Sequence, residues 1–205
     1  MFNEYRAKCK PCRQDDAPRL PIFDAMRWLD QINNRLLRQK PVATRVPKGV
    51  NLQAAQRIAL VYQASDERRF KQVKLMARQL RQEHQLREVI RFTWVDTKPE
   101  HVPVWLAQKV DSRFICKQDV DLFGHPQGEA TRFVADAFDM LINLDASLPL
   151  PLMHVVREST AGMKVAVRQP MRNEDYDVLF EARKEESDAD RWQRLFTFLS
   201  TTQLT

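Results

Sequence analysis

Only four glycines, Gly49, Gly124, Gly128 and Gly162, occur in the 205 residues. Nucleotide-binding turns need glycine, because the backbone must approach pyrophosphate closely and take up conformations that a Cβ opposes. Neither a G-x-G-x-x-G nor a G-x-x-x-x-G-K-[ST] pattern is present, which disfavours NAD, FAD and ordinary ATPase chemistry. Cysteine is scarce as well. Three cysteines, an odd number, supply no disulfide framework, and a reducing cytoplasm is the expected compartment. No apolar run approaches the roughly 20 residues of a membrane span. The stretch Met1–Pro18 carries basic residues but no apolar core of the kind a secretory signal needs, so export is not expected. No G-x-S-x-G nucleophile elbow occurs.

What the chain has in quantity is short apolar runs alternating with helical periodicity. Arg57–Leu80, RIALVYQASDERRFKQVKLMARQL, opens with the run Ile58–Tyr62, turns through Gln63–Asp66, and continues with Phe70, Val73, Ala77 and Leu80 on one helical face. That reads as a buried strand feeding a helix, the first half of a βαβ unit. Ser65 or Asp66 is placed to cap the helix, and Asp66 and Glu67 suit its positive end. Further strands are expected at Glu88–Val95, Arg113–Cys116, Asp139–Leu144, Met163–Val167 and Tyr176–Glu181. Helices are expected at Glu129–Phe138, with Phe133 and Ala137 inward, at Pro149–Glu158, and at Asp188–Leu199 behind a Ser187 cap. One helical turn is expected near Val104–Lys109.

Strands separated by helices imply an α/β fold: a three-layer, Rossmann-like, mostly parallel sheet of five or six strands. The expected order is 3-2-1-4-5-6, with the switch point between the first strand and Asp139–Leu144. Ahead of this domain (56–205) lie a flexible basic tail (1–20) and a helix and linker (21–55). The helix Pro21–Gln39 has an apolar stripe of Ala25, Leu29, Ile32 and Leu36.

Three groups of residues are candidates for function. Ser65, Asp66, Asn143 and Asp145 would meet at the carboxyl edge of the sheet and could bind a small polar ligand or a cation; helix capping and strand termination are the plainer explanation. Residues 1–100 carry 21 Lys and Arg against 11 Asp and Glu, whereas residues 101–205 carry 12 against 16. The basic half suggests an anionic partner, with Arg68, Lys71, Arg78 and Arg81 on the first helix as candidate contacts; a solvated helix face is the plainer alternative. Few aromatics interleave with these cations, so base stacking is not suggested. Cys9-Lys10-Pro11-Cys12 is a C-x-x-C with no second half, too little for structural zinc. His84, His101, His125 and His154 show no pair at ligand spacing, so the sequence indicates no metal site and no cofactor. His125, after Gly124 in a turn, could sit near the sheet edge as a catalytic group.

The segments IALVYQASDE, FGHP, DMLINLD, STAGMKVAV and YDVLFE together resemble a family of small Bacteroidetes proteins described as a domain of unknown function. The resemblance covers about residues 55–200. It implies a bacterial, cytosolic α/β protein and carries over no activity, cofactor or site residue. The expected function is that of a non-enzymatic binding or adaptor protein whose basic half meets RNA, a ribonucleoprotein or an acidic protein. The alternative is a small-ligand binder or enzyme at the carboxyl edge of the sheet.

Overall fold

In the computed structural model, residues 45–107, 111–167 and 173–202 are described. The expected helix Pro21–Gln39 and the C-x-x-C at Cys9 and Cys12 lie outside them. The elements are β1 (Arg57–Gln63), α1 (Glu67–Glu83), β2 (Glu88–Trp94), β3 (Ser112–Ile115), α2 (Glu129–Ala135), β4 (Met140–Asn143), α3 (Leu150–Glu158), β5 (Met163–Val167), β6 (Val178–Phe180) and α4 (Asp188–Thr201). All six strands are parallel and lie in the order β3-β2-β1-β4-β5-β6. The chain builds outward from β1 to β3, then returns to lay β4 against the other side of β1, in the register Ile58 to Met140. The expected α/β class and switch point follow.

Alternation along β1 explains the three layers. Ile58, Leu60 and Tyr62 enter a core with Phe70, Val73, Met76 and Leu80 of α1 and Trp192, Leu195, Phe196 and Leu199 of α4. Ala59 and Val61 face a second core with Phe133 of α2 and Leu152, Val155 and Val156 of α3. A strand buried on both faces needs apolar side chains at every position, which is why β1 reads as a continuous run. Phe133 stacks on Phe92 with ring centroids 4.1 Å apart. Burying one such ring contributes about 1.5–3 kcal/mol.

One local expectation is corrected. Helix α2 ends at Ala135, because Asp136 turns to extended backbone and pairs with Arg113 at 2.8 Å. Ala137 therefore leaves the helical register and is exposed, and Phe138 takes the inward place, 5.0 Å from the Phe133 ring. The turn expected near Val104 is present over its described part, with the Leu106 and Ala107 amides donating to the Pro103 and Val104 carbonyls at 2.9 and 3.2 Å, and a further helical turn forms just before it at Pro99–His101, where proline's fixed φ suits a first turn.

Residues 45–55 pack on the sheet. Leu52 is fully buried and its amide donates to the Leu199 carbonyl at 3.0 Å. Arg45 donates to Asp177 at 2.7 Å and to the Gly162 carbonyl at 3.0 Å. Among the described residues no helix is long and apolar enough to cross a membrane.

Candidate functional site

At the carboxyl edge, between β1 and β4, a sheet of this order usually receives its ligand. Here side chains of the protein pair with one another along an open groove. Asp66 adopts extended backbone and caps α1, accepting from the Arg69 amide at 2.7 Å. That bond holds its carboxyl below the ordinary value. A carboxylate thus occupies the helix N-terminus where a phosphate would otherwise be welcome. Ser65 Oγ donates to Asp66 at 3.1 Å.

Asp145 accepts from the Gln63 amide at 2.6 Å and pairs with Arg69, whose other nitrogen donates to Asp188 at 2.6 Å. The Arg69 guanidinium lies over the Trp192 ring at 4.5 Å. Burial holds the Asp145 carboxyl above its ordinary value, although Arg69 and the Gln63 amide pull the other way. Asn143 is fully buried; it donates to the Tyr176 hydroxyl at 3.0 Å and accepts from the Asp145 amide at 3.0 Å. The structure therefore brings Ser65 and Asp145 to one open groove with Gln63, Arg69, Ser147 and Asp188. It leaves Asp66 as a cap and Asn143 as an internal tie. Arg69 organises this edge and escapes sequence reasoning, since nothing local distinguishes it from Arg68. Arg69→Ala is expected to destabilise the fold by about 2–3 kcal/mol, because Asp145 then stays largely buried without its guanidinium. Urea denaturation checks this; a loss below about 0.5 kcal/mol would show that the triad contributes nothing.

The four candidate cations of α1, Arg68, Lys71, Arg78 and Arg81, divide into two pairs. Arg68 and Lys71 line a shallow outward groove with Glu67, Gln72 and Leu75, and Lys71 is paired with Glu67 at 2.7 Å. Arg78 and Arg81 lie about a quarter turn away around the helix. With Lys74 and Ala77 of α1, Val89 and Arg91 of β2, and Asp111, they line a cleft of about 480 Å³. Arg91 is buried, its guanidinium 5.2 Å from the Phe70 ring, which gives it a fixed orientation. Burial pulls its pKa down, against the pull of Tyr62 and Asp111, yet guanidinium stays charged in proteins. Four cations thus face one carboxylate, and Asp111 engages Arg81 at 3.3 Å with both side chains about half exposed. Arg91 and Lys74 could not be assigned from the sequence: one sits inside a strand and the other reads as surface.

A third cluster forms on the α3 side. Asp121 accepts from the Phe123 and His125 amides at 2.8 and 2.9 Å and so closes the turn that carries His125. Gly124 takes φ +73° in this turn, and a Cβ there would come within 2.8 Å of Leu150 at the start of α3. The close approach sets His125 against α3. Its Nε2 lies 2.8 Å from Glu158 Oε1, and its ring meets His154 edge-on at 5.0 Å. His154 Nδ1 is 3.6 Å from the same oxygen. Burial alone would raise the Glu158 carboxyl, but the two imidazoles prevail and hold it below the usual range. Among the described residues this is the group of His, Cys, Asp and Glu side chains with the geometry to hold a metal ion. The sequence signal lay in His154 and Glu158, four residues apart on one helix face; histidine-to-histidine spacing did not show it.

The family model described as a family of unknown function (DUF6913) matches residues 27–201. No curated protein and no solved structure matches the chain.

Proposed function

The chain belongs to the DUF6913 family of unknown function, and from its own geometry we propose that it is a non-enzymatic binding protein that takes a phosphate-bearing partner, RNA, in the cleft between α1 and β2. The observation that supports this reading is the convergence of Lys74, Arg78, Arg81 and Arg91 on one cleft with a single opposing carboxylate. Guanidinium forks match phosphate oxygens two bonds at a time. Lys74 and Arg81, with Arg78 between them, are seven helical rises apart, about 10 Å of axis, room for more than one phosphate. The pairing at the carboxyl edge counts in the same direction: Arg69, Asp145 and Asp188 already engage one another along the groove where a small ligand would bind. A bacterial cytoplasm is the setting proposed with it.

The reading is tested with a fluorescently labelled RNA hairpin titrated at several salt concentrations. The protein should bind at low salt, and Arg78→Glu with Arg81→Glu should weaken binding at least tenfold. The salt slope of log K should flatten by about 0.7–0.9 for each phosphate that the variant no longer neutralises. Arg68→Glu with Lys71→Glu changes the net charge equally and should have a much smaller effect. Equal losses from both pairs would reduce the cleft to net charge alone. Binding of polyglutamate in preference to RNA would indicate an acidic protein partner instead.

A further inference from the structure

We propose that His125 Nε2, His154 Nδ1 and Glu158 Oε1 form a binding site for a divalent transition-metal ion of the zinc type, with a coordination position open to solvent. The three ligand atoms all lie within 4.8 Å of one another. A tetrahedral zinc ion with bonds near 2.0–2.1 Å sets its ligand atoms about 3.3–3.5 Å apart. His154 Nδ1 and Glu158 Oε1, at 3.6 Å, already stand at that spacing. His125 Nε2 and the same oxygen, at 2.8 Å, need to part by about half an ångström. The required movement falls on a turn side chain rather than on the helix.

A simpler account makes His125 and Glu158 a clasp that fastens the turn to α3. That account leaves His154 poorly served, because Glu158 Oε1 lies 3.6 Å from its Nδ1, beyond hydrogen-bond reach. Its side chain is 5% exposed, and its Nδ1 is buried with no hydrogen-bond partner. Buried polar atoms are almost always satisfied, and an orphan calls for a reason. Here the orphan nitrogen belongs to the same three-atom group as two other good ligands. A metal ion would satisfy it, because a neutral imidazole nitrogen presents its lone pair to the metal.

The elements that hold the three ligands suit the role. Helix α3 supplies His154 and Glu158 from one face, one turn apart, and is fixed to the sheet by Leu152, Val155 and Val156. The third ligand arrives on a turn closed by Asp121 and pressed on Leu150 through Gly124. His125 and Glu158 are each 29% exposed, so the site opens to solvent on their side and is closed on that of His154. Three protein ligands with an open fourth position are the pattern of zinc sites that bind water or a further ligand, whereas structural sites are closed by four. Two nitrogens and one carboxylate suit zinc and its neighbours in the first transition row better than magnesium or calcium, which favour all-oxygen shells.

The test uses the full chain carrying Cys9→Ser and Cys12→Ser, so that the C-x-x-C cannot compete for the ion. Calorimetric titration with Zn²⁺ is expected to show one equivalent bound with micromolar or tighter affinity. Co²⁺ should give visible absorption without the thiolate charge-transfer band. His125→Ala and Glu158→Gln, both at partly exposed positions where folding should survive, are each expected to weaken Zn²⁺ binding at least tenfold. They should also abolish the rise in Tm that saturating Zn²⁺ gives the parent. No binding by the parent, or binding that both variants retain undiminished, overturns the proposal. A thiolate band with Co²⁺ overturns it too, by moving the ion to Cys116.

Discussion

Arg157→Ala is expected to cost about 3–5 kcal/mol of stability. Arg157 lies in the last turn of α3, and its Nη1 donates to Asp175 Oδ1 at 2.9 Å, with the two side chains only 7% and 4% exposed. The pair ties the last turn of α3 to the segment that leads into β6. Removing the guanidinium leaves the Asp175 carboxylate out of water without this cation. That penalty is far larger than the net worth of an intact buried pair, since desolvation and attraction nearly cancel while both partners are present. Against a typical total of about 5–15 kcal/mol, the loss approaches unfolding at growth temperature. Urea denaturation followed by tryptophan fluorescence measures it. Arg157→Met with Asp175→Leu should recover most of the loss, because an apolar pair carries no desolvation penalty. A single-variant loss below about 1 kcal/mol would show that water reaches Asp175.

The second large effect is a pH dependence centred on Lys164. This lysine lies within β5, fully buried, and donates from Nζ to the Arg157 carbonyl at 3.1 Å. Burial is the main reason its pKa falls from 10.5 to about 8, and Arg45 and Arg157 push the same way while Asp175 and Asp177 resist. In the unfolded chain it titrates near 10.4. Between about pH 8 and pH 10.5 the unfolded state therefore binds more protons than the folded one, and stability rises with pH across that window. From the size of the shift the rise is at most roughly 3 kcal/mol; below pH 8 both states are protonated and the penalty is fully present. Lys164→Met has no charge to bury. It should be more stable than the parent at pH 7, and this advantage should shrink as pH climbs from 8 to 10.5. Comparing the two proteins removes the contributions of other groups that titrate there, including the Cys116 thiol, which burial pushes up to about 11. A difference that stays flat from pH 7 to 10.5 would rule the argument out.

These two predictions concern residues that the sequence places but does not explain. Lys164 sits in MKVAV, where a strand buried on both faces is expected to be apolar throughout; its charge becomes intelligible only beside the Arg157 carbonyl and Asp175. The same holds for Arg91 in EVIRFTW. Inside β2 it reads as an interruption, and beside α1 it is one wall of a basic cleft.

What the sequence determined by itself was local or depended on chain connectivity. The periodicities of two and 3.6 located the strands and helices, because they follow from which face of each element must be buried. Asp66 was readable as a cap and Ser187 likewise, since a cap and its amide lie three residues apart. The shortage of glycine argued against a phosphate-cradling turn for a steric reason, since such turns take conformations that a Cβ opposes. The strand order followed from alternating elements and the restriction on crossovers. The tertiary structure alone decided which polar side chains meet. Arg69 pairs with Asp145, 76 residues away, and with Asp188, 119 away; His125 finds Glu158 across 33. Such meetings depend on how the helices are seated on the sheet and on the direction each side chain takes from its backbone. Neither quantity has a local signature, so the cleft at Arg91 and the cluster at His154 appear only once the chain is folded.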